Sequence, residues 1–185
     1  MVWLILGMLL FVGVHLAGGV EAWRAAAVAR FGEWPYKGVH AGISLLGLVL
    51  AGFGYGRAEL DWVWTPLPFG HEAAAALMPV AVVLLVAAYL PGNVKRLTAH
   101  PMLWGVVLFA IAHLLVRGHW ASIVLFGGLG LYALLGMALA TVRGERPSAT
   151  PQPLWKDAIV IAVGLVVYVI LLLLHPVLFG VAVVN

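Results

Sequence analysis

The sequence predicts an all-α fold: a polytopic membrane helical bundle with about six transmembrane helices, in a single domain of residues 1–185. The chain is 64% hydrophobic and 9% charged, whereas a soluble domain carries roughly 25% charged residues. Apolar segments of bilayer-spanning length alternate with short polar stretches. All tryptophans except Trp104 lie near a segment boundary, as in the aromatic belts of membrane proteins. The lipid bilayer is therefore the first expected partner.

The predicted spans are residues 2–20, 36–56, 71–91, 99–117, 120–142 and 157–183. The first, MVWLILGMLLFVGVHLAGG, lacks the basic start of a signal peptide and is expected to be retained. The second ends where glycines give way to charges in FGYGRAELDW, and the third ends at the Pro-Gly pair of residues 91–92. Glycines in GLVLAGFGYG and GGLGLY of the second and fifth spans predict close approach between helices.

The later spans have their own boundary signals. Pro101 stands at the first position of the fourth span, where a missing backbone N–H costs nothing. The Pro-rich stretch GERPSATPQP separates the fifth span from the sixth, and Asp157 favours the start of the sixth because a carboxylate is stabilised at a helix N-terminus. Pro79 and Pro176 predict kinks inside the third and sixth spans.

The distribution of basic residues predicts the orientation. Eight of the ten Lys and Arg residues fall on one side of the membrane: Arg24, Arg30, Lys37, Lys95, Arg96, Arg143, Arg146 and Lys156. Only Arg57 and Arg117 fall on the other side. The richer side is expected to be cytoplasmic, so both termini are expected outside, in the periplasm of a Gram-negative host. The basic residues are scattered over short loops, which argues against nucleic acid as a partner. The absence of cysteine excludes disulfides and thiolate ligands.

Histidines are the recurring candidates for chemistry. His15 and His113 lie deep in the first and fourth spans, where polar side chains are costly and usually face the bundle interior. Neutral imidazole is a haem-iron ligand that needs no counter-ion, so two imidazoles from different helices predict a haem site. His40 and His100 lie nearer the membrane surface, where water can satisfy an imidazole, as it can for His71 and His119.

Depth along the helices suggests which histidines can meet. His100 and His113 differ by roughly 220° around one helix and therefore do not hold one metal together. Depth pairs His113 with His175, which is near the outer end of the sixth span, and pairs His15 with His40 or His100. Arg117 shares the face of His113, one turn further on. Its guanidinium suits a haem propionate or a lipid headgroup.

The segment HEAAAALMPVAVVLLVAAYLPGNVKRLTAHPMLWGVVLFAIAHLLVRGHWASIVLFGG resembles the NnrU family, most specifically in AYLPG, HPML and AHLL. LILGMLLFVGVH, WPYKG and DAIVIAVGLVVYVILLLLHPVLFGV extend the resemblance over nearly the whole chain. The resemblance implies a multi-pass protein of the bacterial inner membrane, linked to nitrite and nitric oxide reduction in denitrification. The family is also similar to the plastid zeta-carotene isomerase, a membrane enzyme that uses haem b with histidine axial ligands to isomerise a cis double bond.

Carried over by matching motif, the resemblance implies haem b as the cofactor and His15 and His113 as the ligand positions. His100, in HPML, belongs to the same motif set. His40 stands where many relatives have Tyr, in KGVHAGISL. This pairing differs from the pairing by depth, and both stay open at this point.

The leading hypothesis is a haem b membrane protein that serves nitrogen-oxide respiration as an assembly, sensing or redox factor, with the nitrogen-oxide reductase machinery as partner. One alternative is a haem-dependent cis–trans isomerase of polyenes such as carotenoids. Another is an isoprenylcysteine methyltransferase-like enzyme, because AHPMLWG is similar to RHPMY-G, although the later Glu and Arg signature of that family is missing. Two further hypotheses are electron transfer across the membrane by two haems and a scaffold protein that binds no cofactor. Whether the chain is an enzyme is left open.

Overall fold

A computed structural model describes residues 1–59, 61–181 and 183. Its helices are α1 (Val2–Gly19), α2 (Glu21–Phe31), α3 (Glu33–Tyr55), α4 (Gly70–Ala87), α5 (Val94–Leu97), α6 (Pro101–Val116), α7 (Trp120–Ser122), α8 (Gly128–Val142) and α9 (Leu154–Phe179). A π-helical turn, Ile123–Gly127, joins α7 to α8, so that Trp120–Val142 is one continuous span.

The predicted helical membrane bundle of about six spans is confirmed. Helices α1, α3, α4 and α9 and the α7–α8 span are long and apolar enough to cross a membrane, and α6 is a shorter apolar helix. Helix α6 has 16 residues, or about 24 Å of rise. It begins at Pro101 and ends at Val116, and the backbone of the next residue, Arg117, is extended. Pro79 and Pro176 lie inside α4 and α9, where the kinks were predicted.

Helix α2 was not predicted, because residues 20–35 read as a polar connection. Five alanines favour helix here, and Glu21 and Arg30 complement the helix dipole at its two ends. None of its residues is buried. Local propensity rather than a buried face therefore accounts for this helix, and a search for apolar segments does not detect it.

The spans pack as a row in the order α3, α1, α8, α6, α4, α9. Helix α8 lies at the middle of the row, between α1 and α6, while α3 and α9 lie at the two edges. Contacts tie the C-terminal ends of α1 and α8 to the start of α6, and another contact ties the start of α9 to the residue before α5. This end of the bundle carries the eight basic residues named above and is called the basic end; the other is the opposite end.

Glycines set the spacing between α1 and α3. A Cβ on Gly47 would lie 2.8 Å from the backbone nitrogen of Phe11, and a Cβ on Gly54 would overlap the backbone of Leu4. On α8, a Cβ on Gly130 would lie 3.1 Å from the Cβ of Ala110. The close approach predicted for both glycine-rich stretches is therefore confirmed, as expected where small residues let membrane helices meet.

Candidate functional site

A cavity of about 170 Å³ lies between α1, α6 and α8 at the basic end. His15 of α1, His100 at the start of α6 and Tyr132 of α8 line it, and Arg143 and Glu145 lie at its rim. The rest of its wall is apolar or small and consists of Leu16, Gly19, Leu103, Gly136, Leu139 and Ala140. The cavity therefore combines imidazoles, a phenol and an ion pair with a lipid-like wall.

His15 is held in one orientation by its own helix. Its Nδ1 lies 2.7 Å from the carbonyl oxygen of Phe11, and its ring lies 4.2 Å from the Phe11 ring. A carbonyl only accepts, so Nδ1 carries the proton and donates, and Nε2 keeps its lone pair. A hydrogen bond of this kind fixes the tautomer of metal-binding histidines. His15 is thus prepared to act as a ligand through Nε2.

Two side chains surround His15 from neighbouring helices. The ring of His40 on α3 lies 4.9 Å away and the ring of Tyr132 lies 5.5 Å away, both edge-on. Gly18 makes room for His40, because a Cβ there would lie 3.1 Å from its Cε1. The structure thus brings His15 and His40 together, as their depths suggested.

His100 presents a buried nitrogen without a partner. Its side chain is 12% exposed, and among the described residues its Nε2 has no hydrogen-bond partner. A buried polar atom left unpaired costs stability, so such atoms call for an explanation. Because the ring lines the cavity, Nε2 is a second candidate ligand atom beside His15.

Arg143 and Glu145 hold the rim of the cavity. Arg143 donates from Nη1 to the carbonyl oxygen of Gly19 at 2.6 Å and from Nη2 to Glu145 Oε1 at 2.8 Å. The other carboxylate oxygen of Glu145 lies 3.7 Å from Nδ1 of His100. A carboxylate behind an imidazole is a common way to orient a ligand histidine. These contacts also join the ends of α1 and α8 to the start of α6.

His113 repeats the local geometry of His15 nearer the opposite end. Its Nδ1 lies 2.8 Å from the carbonyl oxygen of Phe109, and its ring lies 4.2 Å from that of Phe109. Phe126, in the π-helical turn, stacks on His113 at 4.4 Å with an interplanar angle of 24°. Helical π-turns are frequent at functional sites. His113, on α6, therefore also offers Nε2, at a position nearer the opposite end of the bundle than the cavity.

His175 and Arg117 are two further candidate residues outside the basic-end cavity. The Nδ1 of His175, on α9, lies 2.7 Å from the carbonyl oxygen of Val181. Arg117 is half-buried and makes no hydrogen bond or ion pair within the described part of the chain. His113, His175 and Arg117 are not among the residues that line the basic-end cavity.

The pair implied by resemblance, His15 and His113, is not brought into contact. In the regions that the structure covers, no aromatic contact joins the two rings, whereas each has its own aromatic partner on the α7–α8 span. Those same regions contain no group of three or more His, Asp or Glu placed to hold a metal ion. Haem iron needs only one or two protein side chains as axial ligands, so a group of three is not required for haem. Haem ligation by these histidines therefore stays a prediction.

The expectation that water forms the hydrogen bonds of the His119 imidazole is wrong. Its side chain is 1% exposed, because the segment around Trp62 covers it. Its Nδ1 accepts from the backbone N–H of Ser122 at 3.3 Å, and the Ser122 hydroxyl also bonds the Tyr55 hydroxyl at 2.9 Å. Burial, followed by the nearby Arg117, lowers the pKa of His119 below its usual value. His119 is therefore the structural cap of α7.

Several site residues were not recognised from the sequence. Glu145 and Arg143 read as loop charges, and Tyr132 and Phe126 read as ordinary span residues. One signal was present: residues 10–16 and 108–114 share the pattern Leu-Phe-x-x-x-His-Leu. This pattern sets each histidine one turn after a phenylalanine, which is the geometry that both imidazoles adopt.

The fold and these buried imidazoles define a multi-pass helical membrane protein with histidines directed into its interior. The chain belongs to the NnrU family, because the family described as NnrU protein matches residues 3–183. The match covers all six spans. Comparison with curated proteins and with solved structures finds no match.

Proposed function

We propose that this NnrU family protein binds haem b within the membrane through histidine. The observation that carries the proposal is the pair of imidazoles, those of His15 and His100, that line one cavity. His15 Nε2 is left free because Nδ1 is engaged by Phe11, and His100 Nε2 is buried without a partner among the described residues. Two imidazoles from different helices are a common way to hold haem in a helical bundle.

The residues that line the cavity support haem binding, whereas the volume of the cavity is small for a haem. Neutral imidazoles, an orienting carboxylate and an apolar wall suit haem, and Arg143 at the rim suits a propionate. The cavity volume of about 170 Å³ is below the roughly 300 Å³ at which ligand pockets usually begin. Haem binding therefore also needs the lipid-facing side of the cavity, where Leu139 is 42% exposed.

Each residue of the site has a stated task in this proposal. Bound haem would supply iron for electron transfer or for binding a small gaseous ligand. His15 and His100 would hold the iron, while Glu145 orients His100. The apolar wall would exclude water. His113, which has the same local geometry as His15, is the alternative partner implied by resemblance, or the ligand of a second haem.

We further propose that the protein serves nitrite and nitric oxide respiration in the bacterial inner membrane, as an assembly, sensing or redox factor. This role is supported by the family resemblance alone. The expected partner is the nitrogen-oxide reductase machinery. The expected orientation, with both termini in the periplasm, is supported by the basic residues collected at one end of the bundle.

One observation favours a second function, haem-dependent cis–trans isomerisation of polyenes. Leu139 both lines the histidine cavity and is exposed on the outside of the bundle. An apolar substrate dissolved in the bilayer would reach the cavity beside this residue without passing through water. No comparable feature favours the methyltransferase alternative.

The proposal is tested by purifying the protein in mild detergent and recording a pyridine haemochrome spectrum with protein quantitation. About one haem b per chain is the predicted result. About two would favour the two-haem alternative. No haem, even after growth with added haem precursor, would overturn the proposal. Incubation of the haem-loaded protein with a cis-polyene, with the His15→Ala variant as control, separates an isomerase from a respiratory factor.

A further inference from the structure

A second cleft lies at the basic end, outside the histidine cavity. Its volume is about 480 Å³, within the range typical of small-molecule sites. It lies between α5, the segment around Ser148 and the start of α9. One side of the cleft is polar and the other is apolar, so the cleft matches an amphipathic ligand such as a lipid.

The polar side offers an arginine with free donors. Arg96 is exposed, and in the described chain its one side-chain hydrogen bond is a long contact of 3.5 Å from Nη1 to Asn93 Oδ1. Guanidinium has five N–H donors in a planar fork that matches phosphate. Ser148 is fixed beside α5, because its backbone N–H donates to the carbonyl oxygen of Lys95 at 2.8 Å. Ser148 also lines the cleft, and its hydroxyl accepts from the backbone N–H of Thr150 at 3.3 Å, which leaves the O–H free to donate.

The floor of the cleft is already ordered. Both carboxylate oxygens of Asp157 accept from Asn93, one from its backbone N–H and one from its side-chain amide, each at 2.6 Å. The same amide also donates to the carbonyl oxygen of Gln152 at 2.8 Å. The donors of Asn93 therefore occupy both carboxylate oxygens of Asp157 before any ligand arrives.

The apolar side faces the bilayer. Leu97 is 83% exposed and Ile161 is 50% exposed, whereas Val160 beside it is buried. Ile161 is four residues after Asp157 on α9, or about 6 Å along the helix axis. A ligand that contacts both sides therefore has a polar group at the membrane surface and an apolar chain one turn deeper.

We propose that this cleft binds an anionic phospholipid, with its phosphate on Arg96 and the Ser148 hydroxyl and an acyl chain along Leu97 and Ile161. The charge of this end supports an anionic rather than a zwitterionic lipid. Eight basic residues face four acidic ones there, namely Glu21, Glu33, Glu145 and Asp157. Basic pockets between membrane helices recognise anionic headgroups in this way.

The test is native mass spectrometry of the full chain in detergent, with phosphatidylglycerol or phosphatidylcholine of the same acyl chains added. The wild type should retain phosphatidylglycerol preferentially. Arg96→Gln should reduce that retention about fivefold, which corresponds to about 1 kcal/mol for one basic residue at an anionic surface. Arg30→Gln is the matched control, because Arg30 is exposed on α2 at the same end but outside the cleft.

Two results would overturn the proposal. One is equal retention of the two lipids by the wild type. The other is equal loss of phosphatidylglycerol in Arg96→Gln and Arg30→Gln, which would mean that only the overall charge matters. Leu97→Asn tests the apolar side independently and should also weaken retention. Because Arg96 does not line the histidine cavity, the haem content of Arg96→Gln should equal that of the wild type.

Discussion

Glu145 Oε2 lies 3.7 Å from Nδ1 of His100, and the Nε2 on the far side of that ring is buried without a hydrogen-bond partner in the described structure. The carboxylate is itself fixed by Arg143 at 2.8 Å. One nitrogen of the imidazole, Nδ1, therefore has a carboxylate beside it, and the other, Nε2, is the candidate ligand atom. This relationship joins the end of α8 to the start of α6 across 45 residues of sequence.

Replacing Glu145 with Gln should weaken haem binding at the basic-end cavity. Removing a carboxylate behind a ligand histidine typically lowers affinity for the metal 10- to 100-fold, roughly. The measurement is haem titration of the stripped protein by Soret absorbance. Glu33→Gln is the control, because Glu33 pairs with Lys37 at 2.7 Å, away from the cavity. Equal affinity in both variants would mean that Glu145 does not support His100.

The buried cap of α7 predicts a pH dependence of stability. The pKa of His119 is lowered in the folded protein, so the unfolded chain takes up the proton first as the pH falls below about 6.5. Stability should therefore decline as the pH falls from about 6.5 to the folded-state pKa and then level off. His119→Asn keeps a capping side chain but does not titrate there, so its stability should decline less.

The measurement for His119 is the thermal unfolding midpoint in detergent between pH 7.5 and 5. His71→Asn is the matched control, because His71 is an exposed histidine at the same end of the bundle. If His119→Asn and the wild type lose stability in parallel, then protonation of His119 does not set the pH dependence.

The contact between α1 and α3 predicts that its glycines do not tolerate a methyl group. Gly47→Ala should destabilise the protein by about 1–3 kcal/mol, the usual cost of overpacking, because its Cβ would lie 2.8 Å from the backbone nitrogen of Phe11. Gly52→Ala on the same helix has no neighbouring atom within 4 Å and should be neutral or stabilising. The two are compared by their unfolding midpoints. Since alanine favours helix more than glycine does, a similar loss in both would mean that the contact of Gly47 with α1 does not set the cost.

Asn93 and Asp157 should behave as one unit in fixing the start of α9. The two residues share two hydrogen bonds of 2.6 Å. Asn93→Ala, Asp157→Ala and the double variant should therefore lower the unfolding midpoint by similar amounts, since neighbours in one network are not additive. Additive losses would show that each residue acts alone. Glu21→Gln, an exposed acidic residue at the same end, is the control.

The spans were predictable because each carries its own signal, namely apolar length with glycine, proline or charge at its ends. The site was predictable only in part. The depths of His15 and His40 in their spans indicated that they are neighbours, whereas the α3, α1, α8, α6, α4, α9 order is set by packing between helices and has no periodic signal in the sequence.

Long-range contacts account for what the sequence did not reveal. Glu145 meets His100 only because the ends of α8 and α6 lie side by side. The π-helical turn that brings Phe126 onto His113 depends on tertiary packing, since the residues of that turn read as plain helix. His119 looked exposed because the segment that covers it is distant in sequence.

The most direct test is the haem content of His100→Ala and His113→Ala, purified side by side with the wild type and measured by pyridine haemochrome per chain. The account predicts that His100→Ala loses most of the haem, whereas His113→Ala keeps it. Loss of haem from His113→Ala, with retention in His100→Ala, would contradict a haem site in the basic-end cavity and would place the cofactor at the helix position stacked on Phe126.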